Sequence, residues 1–377
     1  MKIRRASFLC GSIDLPGDKS ISHRAAMIAA MAEGDTRIDN FATSADCAST
    51  LECVKALGVD VQRDGNTVMI KGGGKNGLSQ PDRPLDCGNS GTTMRLMAGV
   101  LAGQTFESVL IGDESLQKRP MKRVIEPLGK MGAEIRSNDG MAPLTILGRT
   151  PLMAVEYQPP VASAQIKSCV LLAGLNSDGV TTVIEPVRTR DHTERMLEWF
   201  GVDVAINRVS GLRKISVNGG AVLTARNINI PADISSGAFF MVAAAGLAGS
   251  DITMANVGIN PSRRAIFDVL ADLGANAELL DEAEKSNEPV ATIRVRGGLR
   301  TSASSDTPVL RGEIIANLID EIPILAILGT QLDNGLEIRD AAELRVKESD
   351  RISAVVENLK RLGAAVSEFP DGFRVER

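Results

Sequence analysis

The segment VKALGVDV, residues 54–61, combines the end of a predicted helix, a glycine and the start of a predicted strand. Gly58 suits the left-handed conformation that ends a helix before an extended segment. The same pattern recurs in LGKMGAEI (128–135), LEWFGVDV (197–204), LADLGANA (270–277) and LKRLGAAV (359–366). The corresponding glycines are Gly132, Gly201, Gly274 and Gly363. The chain is therefore predicted to consist of repeated α/β units.

A second type of helix alternates with the first. It opens with Ser or Asp, continues through Ala, Leu and Met, and has no polar face. The predicted openings lie 70 to 85 residues apart, at Ser20, Ser90, Ser163, Ser235 and Asp320. A helix that is apolar all round is typically buried. The sequence therefore predicts an α/β fold of five visible units, in which buried helices are covered by sheets.

Length and composition limit the class of protein. A chain of 377 residues exceeds what one core usually holds, so two domains are expected. The sequence has no apolar run near the ~18 residues of a membrane span, and the N-terminus lacks the apolar stretch of a secretory signal. The net charge of −5 and the aromatic content of 3% disfavour nucleic-acid binding. These features predict a soluble, cytoplasmic protein without a membrane or nucleic-acid partner.

Cysteines and histidines indicate neither disulfides nor a metal centre. The five cysteines are odd in number and form no C-x-x-C pair, so reduced and mostly buried thiols are expected. The two histidines, His23 and His192, are far apart in the sequence. The glycine-rich KGGGKNG, residues 71–77, lacks the spacing of a phosphate-binding P-loop and is predicted to be a turn.

Cationic side chains are concentrated near the first three predicted helix openings. Lys19 and Arg24 flank the first, Arg119 follows the second, and Arg190 follows the third. A helix start offers free N–H groups and a partial positive charge, which bind anions. Each serine alone would be an ordinary N-cap, and each cation alone would be solvated. Together they favour a site for anionic substrates.

A different set of charges occurs near the C-terminus. Asp320 and Glu321 are predicted to lie at a helix start, where Pro323 is tolerated in the first turn. Lys347 and Arg351 would share one face if their segment is helical. A charged surface is one interpretation of this set. In a dry site, adjacent carboxylate and ammonium groups could instead adjust each other for proton transfer.

Seven motifs occur in order along almost the whole chain and resemble the 5-enolpyruvylshikimate-3-phosphate (EPSP) synthase family. They are LPGDKSISHR, GNSGTTMRL, GDESLQKRPM, SAQIKSCVLLAGL, RDHTE, LIDEIPILA and ELRVKESDR. The fourth and fifth are most similar to the class II branch. The resemblance implies two similar lobes of three α/β units each. Residues 16–229 would form one lobe, and residues 1–15 and 230–377 would form the other with two units of three.

The resemblance also implies an activity and a set of site residues. The expected reaction transfers the carboxyvinyl group of phosphoenolpyruvate to the 5-hydroxyl of shikimate 3-phosphate, without a metal or organic cofactor, in a monomeric enzyme. The implied shikimate 3-phosphate ligands are Lys19, Ser20, Arg24, Ser163, Ala164, Gln165, Arg190, Asp320 and Lys347. The implied phosphoenolpyruvate ligands are Lys19, Asn89, Gly91, Arg119, Gln165 and Arg351. Asp320, Glu348, Lys19 and Lys347 would be the catalytic groups.

The chain departs from the family pattern in two ways. It lacks an Asp-His-Arg segment and a sixth unit, whose loss would expose apolar surface on the second lobe, and Glu343 replaces an Asn of some relatives. One alternative is a C-terminally truncated form that binds shikimate 3-phosphate without turnover. Another is the related transferase that uses UDP-N-acetylglucosamine, although Ser20 after Lys19 and the following SHR favour shikimate.

Overall fold

The computed structural model describes residues 5–299 and 306–376, which fold into two compact units. The large lobe comprises Gly17–Ile230 together with Lys285–Asn287. The small lobe comprises Met1–Pro16, Pro231–Glu284 and Glu288–Arg377. The two lobes contain, respectively, three and two of the five four-stranded sheets found in the described residues.

The large lobe contains three α/β repeats. The first has α1 (Lys19–Met31), β2 (Glu33–Asp39), α2 (Ala45–Ala56), β3 (Asp60–Asp64) and β4 (Thr67–Gly73). The second has β5 (Leu85–Asp86), α3 (Gly91–Ala102), β6 (Glu107–Ile111), α4 (Lys122–Lys130), β7 (Glu134–Asn138) and β8 (Met141–Leu147). The third has β9 (Glu156–Tyr157), α5 (Ala164–Gly174), β10 (Val180–Glu185), α6 (His192–Trp199), β11 (Val204–Val209), β12 (Leu212–Asn218) and β13 (Ile228–Asn229).

The three sheets of the large lobe share one topology. Their strand orders are β13-β2-β4-β3, β5-β6-β8-β7 and β9-β10-β12-β11. In each, a two-residue strand pairs in parallel with the next strand, and the remaining pairs are antiparallel. Because β13 follows the third repeat but pairs with β2 of the first, it joins the end of the lobe to its beginning.

The small lobe contains two further repeats of similar design. One has β1 (Cys10–Ser12), α7 (Ile234–Gly246), β14 (Asp251–Gly258), α8 (Ala265–Asp272), β15 (Asn276–Lys285) and β16 (Glu288–Arg296). The other has β17 (Val309–Leu310), α9 (Ile314–Leu318), α10 (Ile322–Gly329), β18 (Leu336–Ile338), α11 (Arg351–Arg361), β19 (Val366–Phe369) and β20 (Gly372–Val375). The strand orders are β1-β14-β16-β15 and β17-β18-β20-β19.

The repeat predicted from the sequence is confirmed. The five helix-ending glycines all have positive φ angles, at Gly58 (86°), Gly132 (96°), Gly201 (87°), Gly274 (90°) and Gly363 (88°). The Ala-rich helices of the large lobe are buried as predicted, since α1 is buried from Ile21 to Met31 and α5 from Ile166 to Gly174. Gly99 lets α3 pack closely on α5, because a Cβ there would lie 2.3 Å from the Cys169 carbonyl oxygen.

Two helices of the small lobe carry exposed apolar side chains. On α7, Phe239 is 60% exposed and Phe240 is 40% exposed, and on α10 Ile327 is 41% exposed. The Ala-rich helices of the large lobe carry none of the exposed large apolar side chains.

Three predicted helix openings are shifted. Asp18, not Ser20, caps α1, and Asp233, not Ser235, caps α7, because each carboxylate accepts a hydrogen bond from a backbone N–H of the first turn. A turn at Asp320 separates α9 from α10, which begins at Ile322, so Asp320 does not open the helix.

Smaller expectations have mixed outcomes. Cys10 is exposed, whereas the other four cysteines are buried. The predicted turn at 71–77 is partly strand, since β4 continues to Gly73 before the chain turns. Within the described ranges, the helices are too short or too polar to cross a membrane.

Candidate active site

The first group of site residues lies at the start of α1. The carboxylate of Asp18 accepts a hydrogen bond of 2.8 Å from the Ile21 N–H and thereby fixes the first turn. Lys19 is the first helical residue, and its amine forms an ion pair with Asp46, near the start of α2. Half-buried Ser20 follows. This helix start therefore presents a cation held by a neighbouring carboxylate.

Arg24 lies one turn further along α1 and is 2% exposed. Its guanidinium donates to the Ser20 carbonyl (2.8 Å), the Ser168 hydroxyl (2.8 Å) and the Thr193 hydroxyl (2.7 Å). These bonds orient a full positive charge inside the large lobe, beside residues of α5 and α6.

The second group lies around the start of α3, which Ser90 caps. Asn89 links two charged side chains, since its amide donates to Asp113 (2.6 Å) and its oxygen accepts from Arg119 (2.6 Å). The hydrogen bond from Asn89 lowers the pKa of the Asp113 carboxyl. Asp113 therefore stays ionised and holds Asn89 in the orientation that receives Arg119.

The third group joins α3 to α5. Arg95 donates to the Gln165 side-chain oxygen at 2.7 Å, and the Gln165 amide donates to the Thr92 hydroxyl at 2.9 Å. Gly91 lies beside them, because a Cβ there would be 2.9 Å from Arg95 Nη1 and 3.2 Å from Arg119 Nη1. Gly91 therefore lies beside both Arg95 and Arg119, and Arg95 links this helix start to Gln165 on α5.

The remaining large-lobe residues occupy the start of α5 and the loop before α6. Ser163 caps α5, accepting a hydrogen bond of 3.4 Å from the Ile166 N–H, as the sequence predicted. Ala164 and Gln165 are the first helical residues. Arg190 lies in the loop between β10 and α6 and is half-buried.

The small lobe holds a separate group of charged residues. Arg351 donates to Asp320 (3.3 Å) and to Glu348 (2.8 Å). Burial opposes the charge of this guanidinium, but its hydrogen bonds to Glu348 and Asp320 raise the pKa of Arg351 overall. Lys347 immediately precedes Glu348 in an extended conformation. The structure therefore joins two predicted catalytic carboxylates through one predicted substrate-binding arginine.

The segment from Lys347 to Arg351 is not one helix, so the condition for a shared helical face of Lys347 and Arg351 is not met. The helix α11 starts only at Arg351, because the Asp350 side chain accepts a hydrogen bond of 3.0 Å from the Ser353 N–H and caps it there.

Sequence reasoning missed Arg263, which is 4% exposed and lies near three carboxylates. Its guanidinium donates a hydrogen bond to the Ser235 hydroxyl. Carboxylate oxygen atoms of Asp233 (3.5 Å), Glu321 (3.5 Å) and Asp320 (3.8 Å) lie further away. The available signal was the pair Arg263-Arg264 after a predicted strand. Sequence reasoning also missed Asp46 and Asp113, whose motifs give no sign that they pair with Lys19 and Asn89.

Comparison with known proteins extends these observations. The family model for "EPSP synthase (3-phosphoshikimate 1-carboxyvinyltransferase)" matches residues 3–377. The 3-phosphoshikimate 1-carboxyvinyltransferase of Bacillus licheniformis is 48% identical over 377 residues, which is 100% of this chain and 86% of the relative. The protein of the same name from Pelotomaculum thermopropionicum is 50% identical over 378 residues, covering 100% of this chain and 85% of the relative.

A solved structure agrees in fold. The EPSP synthase from Acinetobacter baumannii superposes with a TM-score of 0.85 at 42% identity, over 98% of this chain and 82% of that chain. The α/β fold of repeated units is therefore shared with a relative of known structure. Since the family match, the relatives and the fold all extend over nearly the entire chain, the protein belongs to the EPSP synthase family.

Proposed function

We propose that this chain transfers the carboxyvinyl group of phosphoenolpyruvate to the 5-hydroxyl of shikimate 3-phosphate and releases phosphate, a step of aromatic amino acid biosynthesis. The observation that carries this proposal is the 48% identity to a named 3-phosphoshikimate 1-carboxyvinyltransferase along all 377 residues. The residues that the motifs single out also form hydrogen-bonded groups within each lobe. We further propose that the enzyme acts as a cytoplasmic monomer on these two small anions.

The large lobe supplies most of the anion-binding groups in this proposal. Shikimate 3-phosphate is bound by the starts of α1 and α5 and the loop before α6, through Lys19, Ser20, Arg24, Ser163, Ala164, Gln165 and Arg190. Phosphoenolpyruvate is bound around the start of α3, through Lys19, Asn89, Gly91, Arg119 and Gln165. Helix starts and guanidinium groups suit phosphate and carboxylate because both present oriented N–H donors.

The small lobe supplies the proton-transfer groups. Asp320 accepts the proton of the 5-hydroxyl while the hydroxyl oxygen forms a bond to the central carbon of phosphoenolpyruvate. Glu348, assisted by Lys347, donates a proton to the methylene carbon, which gives a tetrahedral intermediate. Phosphate then leaves, and Glu348 takes a proton back from that carbon to regenerate the double bond.

Arg351 links the two proton-transfer carboxylates in the structure, at 3.3 Å from Asp320 and 2.8 Å from Glu348. In the proposal it also binds phosphoenolpyruvate, with Asp320 and Lys347 contacting shikimate 3-phosphate. A cation fixed beforehand stabilises charge that moves during the transfer without having to reorganise.

Phosphate release from a mixture of the two substrates tests the proposal. Asp320→Asn removes the proton acceptor with little change in shape, so we expect kcat to fall at least about 100-fold. Asp272→Asn, at the exposed end of α8, is the matched control and should retain the activity of the unaltered chain. UDP-N-acetylglucosamine in place of shikimate 3-phosphate should give no release.

Two results would contradict the proposal. One is a folded chain that releases no phosphate with shikimate 3-phosphate, which would leave a binding protein. The other is release that depends on UDP-N-acetylglucosamine, which would assign the chain to the related transferase.

A further inference from the structure

Lys167 on α5 is a fully buried cation that the proposed mechanism does not use. Its side chain is 0% exposed, and its amine lies 2.9 Å from Glu185 Oε1 and 2.7 Å from Glu194 Oε1. The two carboxylate side chains are only 4% and 1% exposed. A buried ion cluster is expensive to desolvate and is therefore weak evidence for a purely stabilising role. Its placement suggests another purpose.

The two carboxylates bracket the segment that carries Arg190. Glu185 is the last residue of β10, and Glu194 lies in the first turn of α6. The same Glu185 oxygen that meets Lys167 accepts hydrogen bonds from the Thr189 N–H (3.3 Å) and from the Thr189 hydroxyl. Lys167 is thus connected through one carboxylate to the residue that precedes Arg190.

The other end of this segment is tied to the same helix. Thr193, next to Glu194, is hydrogen-bonded to Ser168 (2.6 Å) and to the Arg24 guanidinium (2.7 Å). Ser168 follows Lys167 on α5, and the Lys167 N–H donates to the Ser163 carbonyl at 3.1 Å. The start of α5, Arg24 and both ends of segment 186–193 are therefore joined at one buried cluster.

We infer that Lys167 is a positioning residue for the shikimate 3-phosphate site: it fixes both ends of segment 186–193 to α5 and so sets the position of Arg190 relative to the start of that helix. This inference rests on the proposed function. Lys167 acts through Glu185 and Glu194, because its buried amine is engaged by both carboxylates. Arg213, 3.6 Å from the second Glu185 oxygen, brings the cluster to two cations and two carboxylates.

The test uses a charge-neutral double variant, Lys167→Met with Glu194→Gln. Removing one cation and one carboxylate together avoids leaving an unpaired buried charge, so the variant is expected to fold. We expect KM for shikimate 3-phosphate to rise at least about tenfold, with kcat and KM for phosphoenolpyruvate within about threefold, because the displaced group touches one substrate. Amide hydrogen exchange across residues 186–193 should accelerate.

The matched control removes an exposed ion pair of the same lobe. Lys214 and Glu156 lie 2.8 Å apart with side chains that are 30% and 56% exposed, so Lys214→Met with Glu156→Gln should change neither KM nor exchange. Thr189→Val supplies a second variant if the first does not fold. It removes one hydrogen bond to Glu185 without altering a buried charge, and it should raise KM for shikimate 3-phosphate alone.

A folded double variant with unchanged KM and unchanged exchange at 186–193 would overturn the inference, even if its thermal stability falls. Should the double variant not fold, an unchanged KM and exchange in Thr189→Val would overturn it. If the unaltered chain releases no phosphate, the proposed function is wrong, and this result does not by itself decide the role of Lys167. The exchange comparison would still show whether Lys167 orders this segment.

Discussion

Gly91 is the residue at which a single methyl group tests the proposed phosphoenolpyruvate site. An added Cβ would lie 2.9 Å from Arg95 Nη1, so this guanidinium must move away from its 2.7 Å hydrogen bond to Gln165. Arg119 Nη1, at 3.2 Å, is crowded as well. We therefore expect Gly91→Ala to raise KM for phosphoenolpyruvate about three- to tenfold, with a smaller effect on KM for shikimate 3-phosphate, in steady-state kinetics.

Gly129 in α4 provides the control for this methyl group. Apart from its chain neighbours and the backbone of its own helix, no atom lies within 4 Å of a Cβ built there. Gly129→Ala should leave both KM values unchanged and stabilise the protein by up to about 1 kcal/mol. An unchanged KM for phosphoenolpyruvate in Gly91→Ala would remove Gly91 from the proposed site.

Single residues of the site were predictable where a motif carried them, and partners distant in sequence were not. Gln165, Arg119 and Asn89 were predicted from their motifs. The hydrogen bonds between segments were not, because Arg95 and Gln165 are 70 residues apart and Asn89 and Arg119 are 30 residues apart. The incorrect N-cap at Ser20 has a local cause, since Asp and Ser both cap helices well and the sequence offered both. Arg263 was missed because its carboxylate partners are assembled only by the fold.

At the scale of elements, His23 connects three helices of the large lobe. Its Nδ1 lies 2.7 Å from the Thr50 hydroxyl on α2, which lies 2.7 Å from the Thr93 hydroxyl on α3. Complete burial, together with the charges of Lys19 and Arg24, lowers the pKa of His23 to about 3, although Asp18 opposes the shift. The imidazole is therefore neutral in the folded protein at pH 7.

The lowered pKa makes the packing of these helices sensitive to acid. Between pH of about 6.5 and about 3 the unfolded chain protonates this histidine and the folded chain does not, so the free energy of unfolding falls as pH falls. The loss is about 1.4 kcal/mol per pH unit for one proton. His23→Gln keeps hydrogen-bonding capacity but does not titrate, so it should lose about 2–3 kcal/mol less than the unaltered chain between pH 7 and about pH 4.5.

Urea unfolding of both proteins at the two pH values measures this difference. Carboxylates titrate in the same range in both chains, so the comparison isolates His23. Equal losses of unfolding free energy in the two proteins would show that His23 is not held neutral by the fold.

Helices ended by glycine were the most predictable elements, because one residue type meets one conformational demand. The region around Asp320 was less predictable. The sequence predicted a helix that opens at Asp320, whereas the chain forms the short helix α9, a turn that includes Asp320, and then α10. Near Lys347, a charge pattern with helical spacing lies across the boundary of α11, and such a pattern alone does not locate a boundary.

At the scale of the whole molecule, the five-unit repeat is predictable from the sequence because a long pattern of residues recurs. The pairing of β13 with β2, which joins the end of the large lobe to its beginning, is not predictable. The strand β13 is two residues long, and nothing in its sequence indicates pairing with β2, almost 200 residues earlier. The pattern also predicted that α7 is a buried helix. In the structure its side chains Phe239 and Phe240 are exposed, so this prediction is only partly correct.

Lys75 joins the three repeats of the large lobe. Lys75 lies in the loop after β4. Its amine donates a hydrogen bond of 2.6 Å to the Leu175 carbonyl at the end of α5 and one of 2.7 Å to the Gly219 carbonyl after β12. Its own carbonyl accepts from Gln104, beyond α3, at 3.2 Å. Partial burial lowers the pKa of Lys75. The loop that the sequence indicated only as a turn therefore holds the repeats together.

Lys75→Met should test this role in the assembly of the lobe. Two carbonyl groups lose a charged donor, so we expect the free energy of unfolding in urea to fall by about 2–4 kcal/mol. Lys71→Met, an exposed lysine four residues earlier, should change it by less than about 0.5 kcal/mol. The KM values for both substrates should be unchanged in the folded Lys75→Met variant, because Leu175 lies about 16 Å along α5 from the proposed substrate ligands at the start of that helix. Equal stability of the two variants would mean that the repeats are held by their apolar core alone.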